Sequence, residues 1–435
     1  MASEKIVTES ALAALASDAK RAIYDVLPGG SASGDVATFD TDIAVPLKSL
    51  IANITASGGN GTPATPIPIV GHSELNLVRC GTNLWDEAYE IGSIDPSTGA
   101  NNDYATDTLR SKNYIPVVPN ISIRVPLGTN PNYICWNNIY TYDRDKNFLG
   151  LALVTNDVVT IPSDCFFIRF RTVIAYGTTY NNDISINYPS TDTTYHAYNG
   201  DTFTVQFGQT VYGGVYDANR GKVRLTHGYL LIDENTPSMS YNGATSNTVR
   251  AFVDVTGKAF GDSNILSDRF QLLEGDVVGR FTGRNNSNGV EFYLPANVTP
   301  TTAGVKAWFE TNNTQLVYEL ATPIEIDVAE LSVDTIVGVN NVFGDTGEVE
   351  VEYRESVEKY VTEHGGGASW TDVVGTLTAG STSITLSNAA IKTTSTINVY
   401  TDPGIPYNTL AVSSGQAVLT FDAQAGDVSV KVRVT

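Results

Sequence analysis

The chain is 435 residues long, 42% hydrophobic and only 17% charged, with a formal net charge of −21. A folded core is feasible, so disorder is excluded as the default, and the length suggests about three domains. The acidic balance excludes a nucleic-acid partner and disfavours unassisted adhesion to anionic membranes, while the abundance of Thr, Asn, Ser, Gly and Tyr favours strands and turns.

The opening "MASEKIVTESALAALASDAKRAIYDVL" is not read as a signal peptide, because Glu4, Lys5 and Glu9 interrupt any apolar run. No later run approaches the length of a membrane span. Residues 8–27 are expected to form a helix. Thr8 can cap it, Glu9 suits the first turn, and Leu12, Leu15, Ala19, Ala22 and Val26 make an a/d-like seam. One short helix cannot bury that seam alone, so it needs copies of itself or a neighbouring domain. "LPGGSASGDVATF" (27–39) reads as a linker by composition.

Strand-like alternation then appears in "DIAVPLKSLIANIT", and again in "ELNLVRC" after a turn-rich connection. From Gly81 to about Pro189, short apolar runs are broken by turns, the rhythm of an antiparallel β-sandwich. It continues from 196 to 260. There "VYDANRGKVRL" predicts a hairpin turning at Asn219–Arg220–Gly221, and Gly213–Gly214 reads as a turn or bulge. Two short helices are expected. One spans 299–313, with Val305, Trp308 and Phe309 on one face; the other spans 332–338, capped by Ser332 and stopped by Gly338.

The strand that follows, in "GDTGEVEVEY", sets Glu348, Glu350 and Glu352 on one face and Val349, Val351 and Tyr353 on the other. No residue in the sequence obviously pairs with those carboxylates. The row is read as the wet face of a half-buried strand that discourages sheet-to-sheet association. Residues 354–369 suggest a short helical stalk around Val357, Tyr360 and Val361, then a flexible joint at Gly365–Gly367. The last unit, 370–435, ends on a strand with Val428, Val430, Val432 and Val434 inward and Ser429, Lys431 and Arg433 outward. A domain of about 65 residues without disulfides is marginal alone, and oligomerisation would cure that.

Signs of chemistry are few. Cys80, Cys135 and Cys165 are odd in number, widely spaced and read as small buried hydrophobes. None of the four histidines falls in HExxH, and neither GxSxG nor a P-loop occurs. Asp143, Asp145 and Asn147 in "YDRDKNFLG" alternate as in a calcium loop. Phe148 and Val154 stand where such a loop needs Gly and Glu, so a polar hairpin tip is the plainer reading. No cofactor is expected. Trp136, Tyr140, Tyr176 and Tyr180 are the candidate rings for stacking on sugar C–H faces, with core packing as the alternative for Trp136 and Tyr140.

"TQLVYELATPIEIDVAELSVDTIVGVNNVFGDTGEVEVEY" (314–353) resembles a recurrent block in tail and baseplate structural proteins of phages infecting Gram-positive, clostridia-like hosts. "FDTDIAVPLKSLIANI", "PIPIVGH" and "VYGGVYDANRGKVRLTHGY" resemble blocks of the same proteins. "CGTNLWDE" with "YIPVVPNISIRV" and "DCFFIRF" resembles a β-sandwich module found inside them, and "WTDVVGTLTAGSTSITL" with "VSVKVRVT" resembles a fibre tip module. About 140 residues stand between "PIPIVGH" and "VYGG", more than a loop holds.

The resulting expectation is a mainly β, multidomain chain of antiparallel β-sandwiches with an N-terminal helix. Residues 1–39 would attach or oligomerise. A discontinuous domain, 40–79 and 190–353, would carry an inserted jelly-roll-like sandwich, 80–189. A stalk, 354–369, would lead to a small all-β tip, 370–435. The resemblance implies a non-enzymatic virion subunit of tail fibre or baseplate, made in the host cytoplasm. It would be a homotrimer, docked to other tail proteins through the N-terminal helix and adhering to a host-surface glycan or protein receptor without entering the membrane. A virion-borne glycan hydrolase is the rival, and a bacterial surface adhesin the third reading.

Overall fold

The computed structural model describes residue 24 and residues 27–125, 138–255, 257–259, 265–283, 289–357, 359–360, 371–393, 397–402 and 405–434. The expected helix over 8–27 and the joint at Gly365–Gly367 thus lie almost wholly outside the described residues. The molecule is mainly β, built from several antiparallel sheets. It divides into two units, Met1–Val357 and Glu358–Thr435.

The body of the first unit is a seven-stranded sheet and a four-stranded sheet. Alternation decides what each strand buries. Leu50, Ala52 and Ile54 of strand Ser49–Thr55 point one way and are buried, while Asn53 and Thr55 point the other way and are exposed. One buried cluster draws on both sheets, joining Leu50 and Val351 of the larger to Leu75, Leu77 and Val342 of the smaller. A five-stranded sheet packs with helix Thr302–Thr311 around Phe270, Phe292 and Phe309. The helix lies where its apolar spacing predicts it. Thr301 caps it, its hydroxyl accepting from Gly304 N–H at 3.1 Å.

Residues 81–199 leave and rejoin the four-stranded sheet at one place. Strand His72–Cys80 pairs with Gly200–Val211 in a register that sets Cys80 opposite Gly200, and Gly81 N–H donates to Asn199 O at 2.9 Å. Asn341, fully buried on strand Gly338–Gly344, holds the segment there. Its amide donates to Gly81 O at 2.9 Å and to Tyr188 O at 3.0 Å, and its oxygen accepts from Thr38 at 2.8 Å. Within the segment Asn83 does similar work, its oxygen accepting from Trp85 N–H and Ile186 N–H, both at 3.0 Å. Its core gathers Trp85, Ile123, Ile139, Ile168, Phe170 and Ile186, and continues into Val78, Cys80 and Phe343 of the body sheet.

Three local expectations are corrected. The stretch 27–39 is not a linker throughout. Ser31–Gly34 pairs with Val349–Glu352, and Ala37–Thr41 pairs with Gly338–Gly344. In Ser31–Gly34 small residues suffice, because an edge strand takes its stability from the ladder it completes, while Ala37–Thr41 also buries Ala37 and Phe39. Residues 332–338 are not helical. Their backbone bonds to residues 45–47 instead: Leu47 N–H donates to Val333 O at 2.8 Å and Thr335 N–H to Val45 O at 2.9 Å. A helix of two turns cannot compete with such tertiary bonds. Gly213 and Gly214 form neither turn nor bulge but lie in strand Gly213–Asp217, where a Cβ would meet the His227 ring at 2.3 Å and Arg224 O at 2.7 Å respectively.

In the second unit, strand Val428–Val434 sits between Thr371–Leu377 and Ile397–Asp402. Its four valines are buried with Leu386, Leu419 and Phe421 from a second three-stranded sheet. Ser429 is exposed, and Lys431 lies over the Tyr400 ring, 5.8 Å from its centroid.

Candidate functional site

The glutamate row is set on a paired strand. Val349–Glu352 runs between Ser31–Gly34 and Ser49–Thr55, with Val349 and Val351 buried and Glu350 exposed. The neighbours across the ladder carry no charge: Ser33 and Ile51 flank Glu350, and Ser31 and Ser49 flank Glu352. Pairing corrects one point: Lys48 Nζ lies 2.9 Å from Glu352, with both side chains about half exposed. Such a surface pair is worth under about 1 kcal/mol.

Asp143, Asp145 and Asn147 stand at the tip joining strands Asn138–Tyr142 and Phe148–Leu153. Both oxygens of Asp143 accept from Asn147, from the backbone N–H at 2.7 Å and the side-chain amide at 2.9 Å. The alternation therefore closes a turn on itself. Among the described residues no group of three or more His, Cys, Asp or Glu can hold a metal ion. Cys80 and Cys165 are buried free thiols, and burial pushes them up to about 12 and about 11. Cys135 lies outside the described residues.

The aromatic candidates separate. Trp136 lies outside the described residues. Tyr140 is 2% exposed and packs with Ile94 and Tyr142, its hydroxyl donating to Ile94 O at 2.9 Å. Tyr176 is buried too, its hydroxyl donating to Asp183 at 2.6 Å. Neither ring has a free face for a sugar, which corrects both assignments. Tyr180 is half-buried, and the fold gathers around it two rings that sequence spacing gave no reason to join, Tyr89 and Tyr195.

Tyr89 is 41% exposed and Tyr195 36%. The Tyr89 and Tyr180 ring centroids are 5.6 Å apart, and buried Trp85 meets Tyr180 edge-on at 5.2 Å. The hydroxyls are fixed. Tyr180 donates to Ile184 O at 2.9 Å and Tyr195 to Glu87 at 2.9 Å, and a further hydroxyl contact joins Tyr180 to Tyr195. Burial, and for both the neighbouring Glu87 carboxylate, raises these phenols above their ordinary range. They remain uncharged at any physiological pH.

Glu87 sits at φ 58°, a left-handed conformation uncommon for a residue with a Cβ. Its Oε1 accepts from Tyr195, from Tyr198 N–H at 3.3 Å and from Asn83 at 3.4 Å. Behind Tyr89, buried Arg110 steadies its strand by donating to Glu90 at 2.7 Å, Asp103 at 2.6 Å and Ser93 O at 2.8 Å. Asp86 closes the loop, accepting from Ala88 N–H at 3.0 Å and Asn113 at 2.6 Å.

A second polar place lies where the 81–199 segment meets the body. His72 is 6% exposed. One ring nitrogen, Nε2, is 2.9 Å from Thr55 O and must be its donor, so Nδ1 is left to accept from Arg144 at 3.4 Å. Burial and the Arg144 charge hold His72 below its ordinary value of 6.5. Arg144 also lies over the Phe166 ring, 4.2 Å from its centroid. Two clefts open beside this contact, sharing Asp35, Thr55 and Gly347. One of about 220 Å³ reaches Asn120, Arg144 and Phe166; one of about 440 Å³ reaches Asn53, His227 and Glu348.

No described helix is long and apolar enough to cross a membrane. Comparison with protein-family models, with curated proteins and with solved structures finds no match.

Proposed function

We propose that the chain is a structural, receptor-binding subunit of a bacteriophage tail, in fibre or baseplate, that adheres to host-surface glycan. The body sheets and the insert, 80–189 by its sequence pattern and 81–199 by the strand pairing around it, are read as β-sandwiches, the second a jelly-roll-like module displayed on the first. Residues 371–435 are read as a tip. Weak sites on the copies of a homotrimer then add through effective concentration, and the N-terminal segment docks to other tail proteins. The observation that carries this reading is the partly exposed tyrosine surface on a segment that leaves and re-enters the body sheet at the Cys80–Gly200 pair. Rigid rings of this kind give contact area at little entropic cost.

The test uses the one place where the chain leaves and re-enters the sheet. Cys80 and Gly200 are direct cross-strand partners, so residues 81–199 can be excised and replaced by a short Gly-Ser turn. A second variant stops at Gly365. Loss of host-cell adsorption on excision supports the reading. Adsorption that follows the truncation instead moves the contact to the tip, and adsorption untouched by both ends it.

The rival, a virion-borne glycan hydrolase, has one observation in its favour: Asp35 and Glu348 line the same cleft. Paired carboxylates across a sugar would be its machinery. Release of reducing sugar from host wall, abolished by Asp35→Asn or Glu348→Gln, would establish it.

A further inference from the structure

The surface around Tyr89, Tyr180 and Tyr195 has a chemistry that selects among saccharides, and the selection rests on the adhesion reading above. We infer that this face takes a pyranose ring without negative charge, stacked on Tyr89, and rejects phosphate-linked polymers.

The stacking half follows from geometry. A sugar presents C–H groups on one face, and an aromatic face attracts them as it attracts other polarised hydrogens. Tyr89 is the most exposed of the three rings and stands against Tyr180, which Trp85 supports from below. Tyr180 and Tyr195 have their hydroxyls tied to Ile184 O and Glu87. Tyr180 and Tyr195 are therefore ordered before a ligand arrives, and Tyr89 leans on Tyr180, which removes part of the cost of binding.

The charge half follows from what surrounds the rings. Glu87 accepts all three of its hydrogen bonds on Oε1, so Oε2 is left as an acceptor for a sugar hydroxyl. Asp183, which accepts from Tyr176, lies close enough to Tyr195 to raise it. Two carboxylates beside the rings, on a chain of net charge −21, accept from hydroxyl or ammonium groups and repel phosphodiesters. The partners of the nearby Arg110 are already Glu90, Asp103 and Ser93 O, and Lys112, whose N–H donates to Ala88 O at 2.9 Å, is opposite Ala88, so in the pleat its side chain leaves the strand pair on the other face from Tyr89.

The full chain is applied to an array of bacterial saccharides grouped as neutral, amine-bearing and phosphodiester-linked. Binding is expected in the first two groups only. Tyr89→Ala is expected to weaken it by about tenfold or more, the step that 1.4 kcal/mol represents. Tyr89→Phe, which keeps the ring, is expected to retain it, and unchanged thermal melting of both variants excludes misfolding. Glu87→Gln with Asp183→Asn is expected to admit phosphodiester chains. Strong wild-type binding to phosphodiester chains, lost in Tyr89→Ala, overturns the charge half and leaves adhesion standing. Equal binding by wild type and Tyr89→Ala overturns the site. Binding to no member of the array overturns the adhesion reading itself.

Discussion

Single buried polar side chains decide much here. Asn341 has no exposure, and three hydrogen bonds converge on it from Thr38, Gly81 and Tyr188. Its replacement by Ala leaves the Gly81 and Tyr188 carbonyls without their donor, while exposed Thr38 can turn to water, at a cost of about 2 kcal/mol. Urea denaturation of Asn341→Ala should show that loss as a lower midpoint. His72 gives a pH dependence with a definite sign. Its charged neighbours are Arg144, which lowers it, and Asp345, whose two oxygens each accept from Asn76 at 3.0 Å. Because the folded state holds His72 below 6.5, the unfolded chain binds its proton first as pH falls. The contribution is intact above about pH 6.5 and is lost progressively below it. Arg144→Met should raise the His72 titration midpoint, read by NMR, and flatten melting temperature between pH 7 and pH 5. An unchanged midpoint would show that burial alone holds the ring neutral.

At the scale of elements, periodicity reads well and pairing does not. The alternation in "GEVEVEY" and the helix of Val305 and Phe309 are where apolar spacing puts them, and the hairpin turns at Asn219–Arg220–Gly221 as its turn residues predict. Failures occur where a partner decides. Ser31–Gly34 has no strand signal of its own and is a strand because Val349–Glu352 lies beside it. Ser332 and Gly338 mimic helix caps, yet the backbone between them bonds to Val45 and Leu47. The tyrosine surface is half legible. Tyr180 is among the four candidate rings, but Tyr89 lies some 90 residues away and joins it only through tertiary packing. Two substitutions test elements directly. Thr301→Ala removes the cap of helix Thr302–Thr311 and should cost about 1 kcal/mol. Glu350→Gln, on an exposed position beside Ser33, should stay within about 0.5 kcal/mol of wild type. A loss beyond that in a thermal melt would mean that Glu350 itself has a partner that its solvent exposure does not suggest.

For the whole molecule, two units on one chain imply separate cooperative transitions. The first unit shares large cores among its sheets. The second relies on one cluster, in which Val428, Val430, Val432 and Val434 meet Leu386, Leu419 and Phe421. A unit of so few residues with no disulfide has little stability in reserve. Calorimetry of the full chain should therefore resolve two peaks, the lower matching the melting of residues 371–435 made alone. If copies of that unit associate, binding between folded chains adds to stability by mass action, and the lower peak must rise with protein concentration. A homotrimer held together at the tip predicts that rise, together with a sedimentation mass three times that of one chain for the 371–435 fragment. A lower peak independent of concentration would place self-association elsewhere. The a/d-like seam of residues 8–27 then becomes the element to delete, and loss of the trimer on its removal the result to look for.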